Sequence, residues 1–137
     1  MHSAKEFFEA YDRLNASQDG LPHDAFFAPT FMVAGDDGVR AVTPAQLAAV
    51  ASQRKGLLET LGRRSTEVVR MEEHPIDAHY VMTVTEWRWH FEPEGKPPFD
   101  ITLPATHILH HSADGLRIVF YRSGEVMRVL KERVLIA

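Results

Sequence analysis

Tyr11 and His107 are the two side chains whose type and position in the sequence best suit them to chemistry. Tyr11 falls on an apolar stripe at helical spacing, so its hydroxyl is expected to be buried and to need a hydrogen-bond partner. His107 interrupts an alternating apolar run, and a buried imidazole stays neutral and can act as a general base. The alternative for both residues is a structural one, in which the backbone satisfies the polar atom.

Metal and thiol chemistry are not expected. The chain has no cysteine, which excludes disulfides, thiolate metal sites and cysteine nucleophiles. His107 and His111 would share one side of a strand, but about 13 Å apart, while His110 would point to the other side. We therefore predict neither a metal ion nor another cofactor.

Composition favours one domain, residues 1–137, with a single core. The 15 basic and 19 acidic side chains give a net charge of −4, which offers no basic footprint for nucleic acid. No apolar stretch approaches the roughly 20 residues of a membrane span, and the N-terminus lacks a signal-peptide core. A cytoplasmic protein without nucleic-acid or membrane partners is the expectation.

Helix signals dominate the first half of the chain. Ser3 and Glu6 form a capping box, which predicts a first helix that runs to about Ser17. A short second helix is predicted around His23–Phe27, ended by Pro29.

A longer helix and a terminal one are also predicted. Thr43 caps the longer helix, Pro44 occupies its first position, and Gly62 ends it in a left-handed conformation. Apolar residues at i, i+4 and i+8 predict a terminal helix within Glu125–Leu135.

Strand signals dominate the second half. A first short strand is predicted at Phe31–Ala34, and four longer runs follow it: Thr66–Glu72, His79–Phe91, Asp100–His111 and Leu116–Ser123. In the run that ends at Phe91, the apolar residues occupy even positions first (Tyr80, Met82, Val84) and odd positions later (Trp87, Trp89, Phe91). Such a strand is expected to bulge and to curl the sheet around a cavity. The fold class is α+β, with helices packed on one face of a highly curved antiparallel sheet.

A two-residue turn centred on Asp114–Gly115 is the simplest connection between the last two strands. That register would place His107 opposite Arg122 and Leu109 opposite Phe120. It would also disfavour a charged imidazole.

Five segments carry a resemblance that covers nearly the whole chain: Phe7–Tyr11 with Leu14–Asn15, Phe27–Pro29, Thr43–Pro44 and Asp114–Ile118. In these the chain resembles the nuclear transport factor 2-like (NTF2-like) superfamily, which includes SnoaL-like cyclases and ketosteroid isomerases. The resemblance implies a cone with an internal pocket and a homodimer formed through the convex face of the sheet.

The resemblance also implies roles for single residues. The oxyanion-donor tyrosine of the isomerases falls near Tyr11, and their base aspartate falls near Asp36 or Asp37. Thr106 occupies the place of their second aspartate, so the sequence departs from the isomerase pattern there.

Two functions remain open. The first is a small apolar molecule bound in the cone pocket, with acid–base isomerase, cyclase or dehydratase chemistry by Tyr11, His107 and Asp36. The second is a non-catalytic dimeric binding or scaffolding module. The residues predicted to line the pocket are Phe8, Met82, Trp87, Trp89, Leu103, Phe120 and Arg122. The two tryptophans could instead pack against a helix or a second subunit.

Overall fold

A computed structural model describes residues 3–16, 25–124 and 126–132. It contains three helices and six strands among these residues. In chain order they are α1 (Ala4–Ala16), β1 (Phe27–Gly35), β2 (Gly38–Val42), α2 (Pro44–Thr60), β3 (Arg63–Pro75), β4 (Tyr80–Phe91), β5 (Phe99–Ser112), β6 (Gly115–Ser123) and α3 (Val126–Glu132).

The strands form one sheet in the order β2-β1-β6-β5-β4-β3. Every pair is antiparallel except β1 with β6, which is parallel. α1 packs against the concave face, where Phe7 and Phe8 are fully buried. The structure confirms the predicted α+β class, with helices on one face of a curved sheet.

The predicted helix starts are confirmed. The backbone N–H of Glu6 donates to the Ser3 hydroxyl, and α1 begins at Ala4. At α2 both bonds of the capping box form between Thr43 and Gln46, with Pro44 at the first position. These residues satisfy N–H groups that a helix terminus otherwise leaves without partners.

The helix predicted around residues 23–27 is wrong in its described part, because Phe27 already begins β1. Pro29 lies inside this strand. It is tolerated there because the ladder to β6 is interrupted between Phe27 and Met32, and pairing with β2 begins only at Phe31. A proline that lacks an N–H therefore removes no ladder hydrogen bond. β2, which follows the Asp36–Asp37 turn, was not predicted.

The predicted change of buried face along β4 is also wrong. The odd positions are buried or half-buried from Val81 to Phe91, and β4 pairs with β5 without interruption. The sequence misleads because two buried positions hold threonines, whose hydroxyls donate to carbonyls of β5: Thr83 to His107 and Thr85 to Ala105. The even face is the convex face.

The bulges lie in other strands. In the β3–β4 ladder the register shifts between Arg63 and Ser65 and again between Val68 and Arg70. The β5–β6 register shifts between Ile108 and Leu109. Such bulges bend and twist a strand, which curves the sheet.

The predicted β5–β6 register is wrong. Ser112 pairs with Gly115, so the turn is centred on residues 113–114. Because of this and the bulge, His107 lies opposite Tyr121 and Thr106 lies opposite Arg122.

α3 covers residues 126–132 of the predicted terminal helix, and the rest of that prediction lies outside the described residues. Leu130 is fully buried in a second apolar cluster with Leu58 and Phe91. None of the helices in the described part of the chain has the length and apolarity that crossing a membrane requires.

Candidate functional site

Five aromatic side chains meet on the concave face, and we refer to them as the ring cluster: Phe8, Tyr11, Trp87, His107 and Tyr121. The His107 ring lies 4.9 Å from Phe8 and 6.3 Å from Tyr11, centroid to centroid. It stacks on Tyr121 at 5.8 Å with an interplanar angle of 23°. α1 supplies two of the rings, and β4, β5 and β6 supply one each.

His107 is the unusual member of the ring cluster. It is 3% exposed, and its Nδ1 atom is buried with no hydrogen-bond partner among the described residues. Burial lowers the pKa of His107 to about 3. The imidazole is therefore neutral near pH 7, and Nδ1 can accept or donate a hydrogen bond according to the tautomer.

Two tyrosine hydroxyls belong to the same cluster. Burial raises the pKa of Tyr11, and the neighbouring Tyr121 raises it further. Burial also raises the pKa of Tyr121. Both side chains are thus neutral hydrogen-bond donors at any physiological pH. Tyr121 was missed in the sequence because its place beside His107 depends on the bulge in the β5–β6 register.

Hydrogen bonds within the sheet and between α1 and the sheet hold the ring cluster in place. The Trp87 indole N–H donates to the Thr85 hydroxyl at 2.9 Å, and that hydroxyl donates to the Ala105 carbonyl at 3.1 Å. On the helix side, the Thr66 hydroxyl donates to the Asp12 carboxylate at 2.8 Å. Since Asp12 follows Tyr11 on α1, this bond ties the tyrosine's helix to β3.

Asp36 lies apart from the ring cluster. It is exposed in the β1–β2 turn, where it pairs with Arg122 at 2.6 Å and also with Arg128. Arg128 and Arg122 lower the pKa of its carboxyl group. An open pocket of about 250 Å³ lies beside this ion pair. Its lining residues are Gly35, Asp36, Pro104, Ala105, Thr106, Arg122, Ser123, Gly124 and Arg128.

The remaining predicted pocket residues are divided between two other regions. Met82 and Phe120 lie on the convex face, each directly opposite Ile108. Leu103 belongs to the second apolar cluster, and Trp89 packs between both clusters with the Arg63 guanidinium 5.7 Å from its ring. Of the seven residues predicted to line a pocket, the ring cluster holds Phe8 and Trp87.

No group of three or more histidine, aspartate or glutamate side chains in the described residues could hold a metal ion. The ring cluster offers neutral nitrogen and hydroxyl groups on an aromatic surface. This combination suits an uncharged polar atom on an apolar ligand better than it suits a cation.

The chain is similar to known proteins in its fold. No family model matches the sequence, and no curated protein matches it significantly. Many solved structures do match. The protein Aln2 from a Streptomyces species is 16% identical with a TM-score of 0.71, and the alignment covers 94% of this chain and 92% of Aln2.

Two further structures extend the comparison. A candidate ketosteroid isomerase from Shewanella frigidimarina is 13% identical with a TM-score of 0.68, over 88% of this chain and 94% of its own. An NTF2-like protein with a cystatin-like fold from Novosphingobium aromaticivorans is 14% identical with a TM-score of 0.67, over 96% and 85%. These likenesses define an α+β cone. The chain has the NTF2-like fold, which confirms the resemblance inferred from its sequence.

Proposed function

We propose that this protein binds a small, largely apolar molecule that carries a hydroxyl or carbonyl group, and that the ring cluster is its binding surface. The observation that carries the proposal is the buried Nδ1 of His107, which no described residue satisfies. Leaving such an atom unpaired costs about 1–3 kcal/mol, a cost that a ligand hydroxyl donating to Nδ1 would remove. Small-molecule sites typically combine an apolar surface with a few convergent polar groups.

The chemistry of the cluster favours hydrogen bonding over proton abstraction. With a pKa of about 3, His107 is a weak base, whereas an effective general base has a pKa near the working pH. Tyr11 and Tyr121 can donate to a ligand oxygen and polarise it. An isomerase, cyclase or dehydratase built on this cluster would use these groups to stabilise a developing oxyanion. The ring cluster itself supplies no effective base for such a reaction.

A calorimetric comparison of two probes tests the proposal. 2-Naphthol has a hydroxyl that can donate to Nδ1, and 2-methoxynaphthalene has nearly the same shape without that donor. We expect 2-naphthol to bind more tightly to the unmodified protein. His107→Leu should weaken its binding about tenfold and leave the binding of 2-methoxynaphthalene nearly unchanged, since one hydrogen bond is lost.

His110→Leu is the matched control, because it replaces a histidine of the same strand that lies on the convex face. It should leave both affinities unchanged. Equal affinity of the unmodified protein for the two probes, or equal losses with His107→Leu, would contradict the role of Nδ1. Failure of both probes to bind would contradict the proposed function itself.

A second candidate function rests on the convex face. Met32, Phe120, Ile108 and Met82 are successive cross-strand partners, so four apolar side chains form one row over β1, β6, β5 and β4. Met32 is 38% exposed, and the other three are half-buried. Exposed apolar surface of this kind marks protein interfaces. We infer a homodimer formed through this row, and a molar mass in solution of twice the 15.5 kDa chain would support it.

A further inference from the structure

One row of side chains crosses the concave face from the ring cluster to the edge of the sheet. Thr83 pairs with His107, His107 with Tyr121, Tyr121 with Val33, and Val33 with Arg40. Directly paired residues point to the same face of a sheet. The exposed Arg40 on β2 therefore lies on the face of the ring cluster, three strands from His107. At the usual spacing, three strands correspond to about 14 Å between their backbones.

A second arginine approaches the cluster from the helical layer. Burial raises the pKa of Tyr11 and of Tyr121, and Arg54 on α2 offsets part of the rise for both tyrosines, as Arg40 does for Tyr121. The positively charged groups near these two tyrosines thus come from two different elements, β2 and α2. This is unexpected in a chain with a net charge of −4.

Several exposed arginines of the described chain are paired with carboxylates, whereas Arg40 and Arg54 are not. Arg70 pairs with Glu72, Arg88 pairs with Glu67, and Arg122 pairs with Asp36. Neither Arg40 nor Arg54 forms a salt bridge with another described residue. Their positive charge is available to an anion beside the ring cluster.

We propose that the ligand of the ring cluster is an amphiphilic acid, with an apolar ring body and one carboxylate that Arg40 and Arg54 bind. This inference rests on the proposed function and narrows its class of ligand. The apolar rings of the ligand would lie on the aromatic side chains. The hydroxyl or carbonyl group at the end away from the carboxylate would lie at His107. The carboxylate would lie toward β2, where guanidinium groups can bind it in a charge-assisted, bidentate manner.

A matched pair of probes tests the charge requirement. 6-Hydroxy-2-naphthoic acid carries a hydroxyl at one end and a carboxylate at the other, and 6-hydroxy-2-naphthamide replaces the carboxylate by a neutral amide. We expect the unmodified protein to bind the acid about fivefold more tightly than the amide. Raising the salt concentration from about 50 to about 500 mM should weaken binding of the acid and leave the amide nearly unchanged, since salt screens exposed charges.

Substitutions then assign the effect to the two arginines. Arg40→Gln and Arg54→Gln should each weaken binding of the acid about twofold and leave the amide unaffected. Arg70→Gln is the control, because it removes an exposed charge from the opposite face of the sheet. Thermal unfolding of each variant shows whether it is folded. Both arginines are exposed, so we expect the fold to be unaffected.

The outcomes separate this inference from the proposed function. Equal affinity for acid and amide, or losses that are the same for both probes, would overturn the carboxylate assignment. His107-dependent binding of the amide would then still support the ring cluster as a binding surface. If neither probe binds, the proposed function fails, and the carboxylate assignment fails with it.

Discussion

The protonation state of His107 is set by its surroundings. Aromatic rings from α1 and β6 enclose the imidazole, and no charged group of the described residues offsets the cost of its burial. A charged imidazole is disfavoured in such surroundings because it loses its hydration. The side chain is therefore a neutral hydrogen-bonding group in the folded protein and an ordinary histidine in the unfolded chain.

This difference predicts a stability that depends on pH. Burial lowers the pKa of His107 from 6.5 to about 3, so between these values the unfolded chain binds a proton that the folded chain does not. His107 therefore lowers the free energy of unfolding progressively as the pH falls from 6.5 toward 3. At a pH of about 4.5 the loss is roughly 2.5 kcal/mol relative to neutral pH.

Chemical denaturation of the unmodified protein and of His107→Leu at neutral and at mildly acidic pH measures this effect. The loss of stability on acidification should be smaller in the variant. His111→Leu, which replaces an exposed histidine on the same strand, should behave like the unmodified protein. An equal acid loss in the unmodified protein and in His107→Leu would show that the imidazole takes up a proton while folded.

At the residue scale, the sequence predicted part of the candidate site. Tyr11 and His107 were found because each places a polar atom on an apolar face, and the structure brings their rings together. Tyr121, Arg40 and Arg54 were not found. Their relation to His107 depends on cross-strand register and on the packing of α2, which the periodicity of a single segment does not contain.

At the scale of elements, Gly62 determines how α2 is joined to β3. Its φ is +104°, and a Cβ atom added there would lie 2.7 Å from backbone atoms of Pro93. The Gly62 carbonyl also accepts a hydrogen bond from the Glu92 N–H at 2.7 Å, which holds the helix end against the β4–β5 connection. An L-residue at this position is strained by both its conformation and its contacts.

Gly62→Ala should therefore lower the free energy of unfolding by about 2 kcal/mol or more. Gly56→Ala is the matched control, since Gly56 lies inside α2 with open space around the Cβ position. That substitution should raise stability by roughly 0.5–1 kcal/mol through helix propensity. Denaturant unfolding of both variants distinguishes a local backbone requirement from a general response to alanine, in which the two would change alike.

Helix starts and long strands were predicted well because their signals are local. Capping boxes, Pro44 and runs of β-branched residues act within a few positions. The errors arose where residues that are distant in the sequence determine the local structure. The buried threonines of β4 are stable because carbonyls of β5 accept their hydroxyls, and Pro29 fits β1 because the neighbouring ladder is interrupted there.

At the scale of the whole molecule, the apolar row on the convex face predicts the oligomeric state. Its members are Met32, Phe120, Ile108 and Met82. Phe120→Glu would place a charge in the middle of the proposed interface, between Met32 and Ile108. Light scattering should then show a monomer where the unmodified protein is a dimer, because a buried unpaired charge is costly. Trp89→Ala, on the concave side, should remain a dimer. A dimer that persists in Phe120→Glu would place the interface elsewhere.

The architecture was predictable because the order of the elements leaves few alternatives. A long helix signal followed by four strand runs with short connectors forms an antiparallel sheet with helices on one face. The arrangement within the sheet was harder to predict from the sequence. The buried face of β4 and the position of the bulges depend on which side of the sheet the helices cover, and the sequence of one strand does not show this.

The outer strands of the sheet differ in a way that bears on solubility. β2 has five residues, which leaves little backbone for a further strand to join. β3 has thirteen residues, but it is interrupted by two bulges and carries the charged side chains of Glu67, Arg70 and Glu72. Short, bulged and charged edges prevent the edge-to-edge pairing that leads to aggregation and fibres. The sheet is thereby protected from growing beyond six strands.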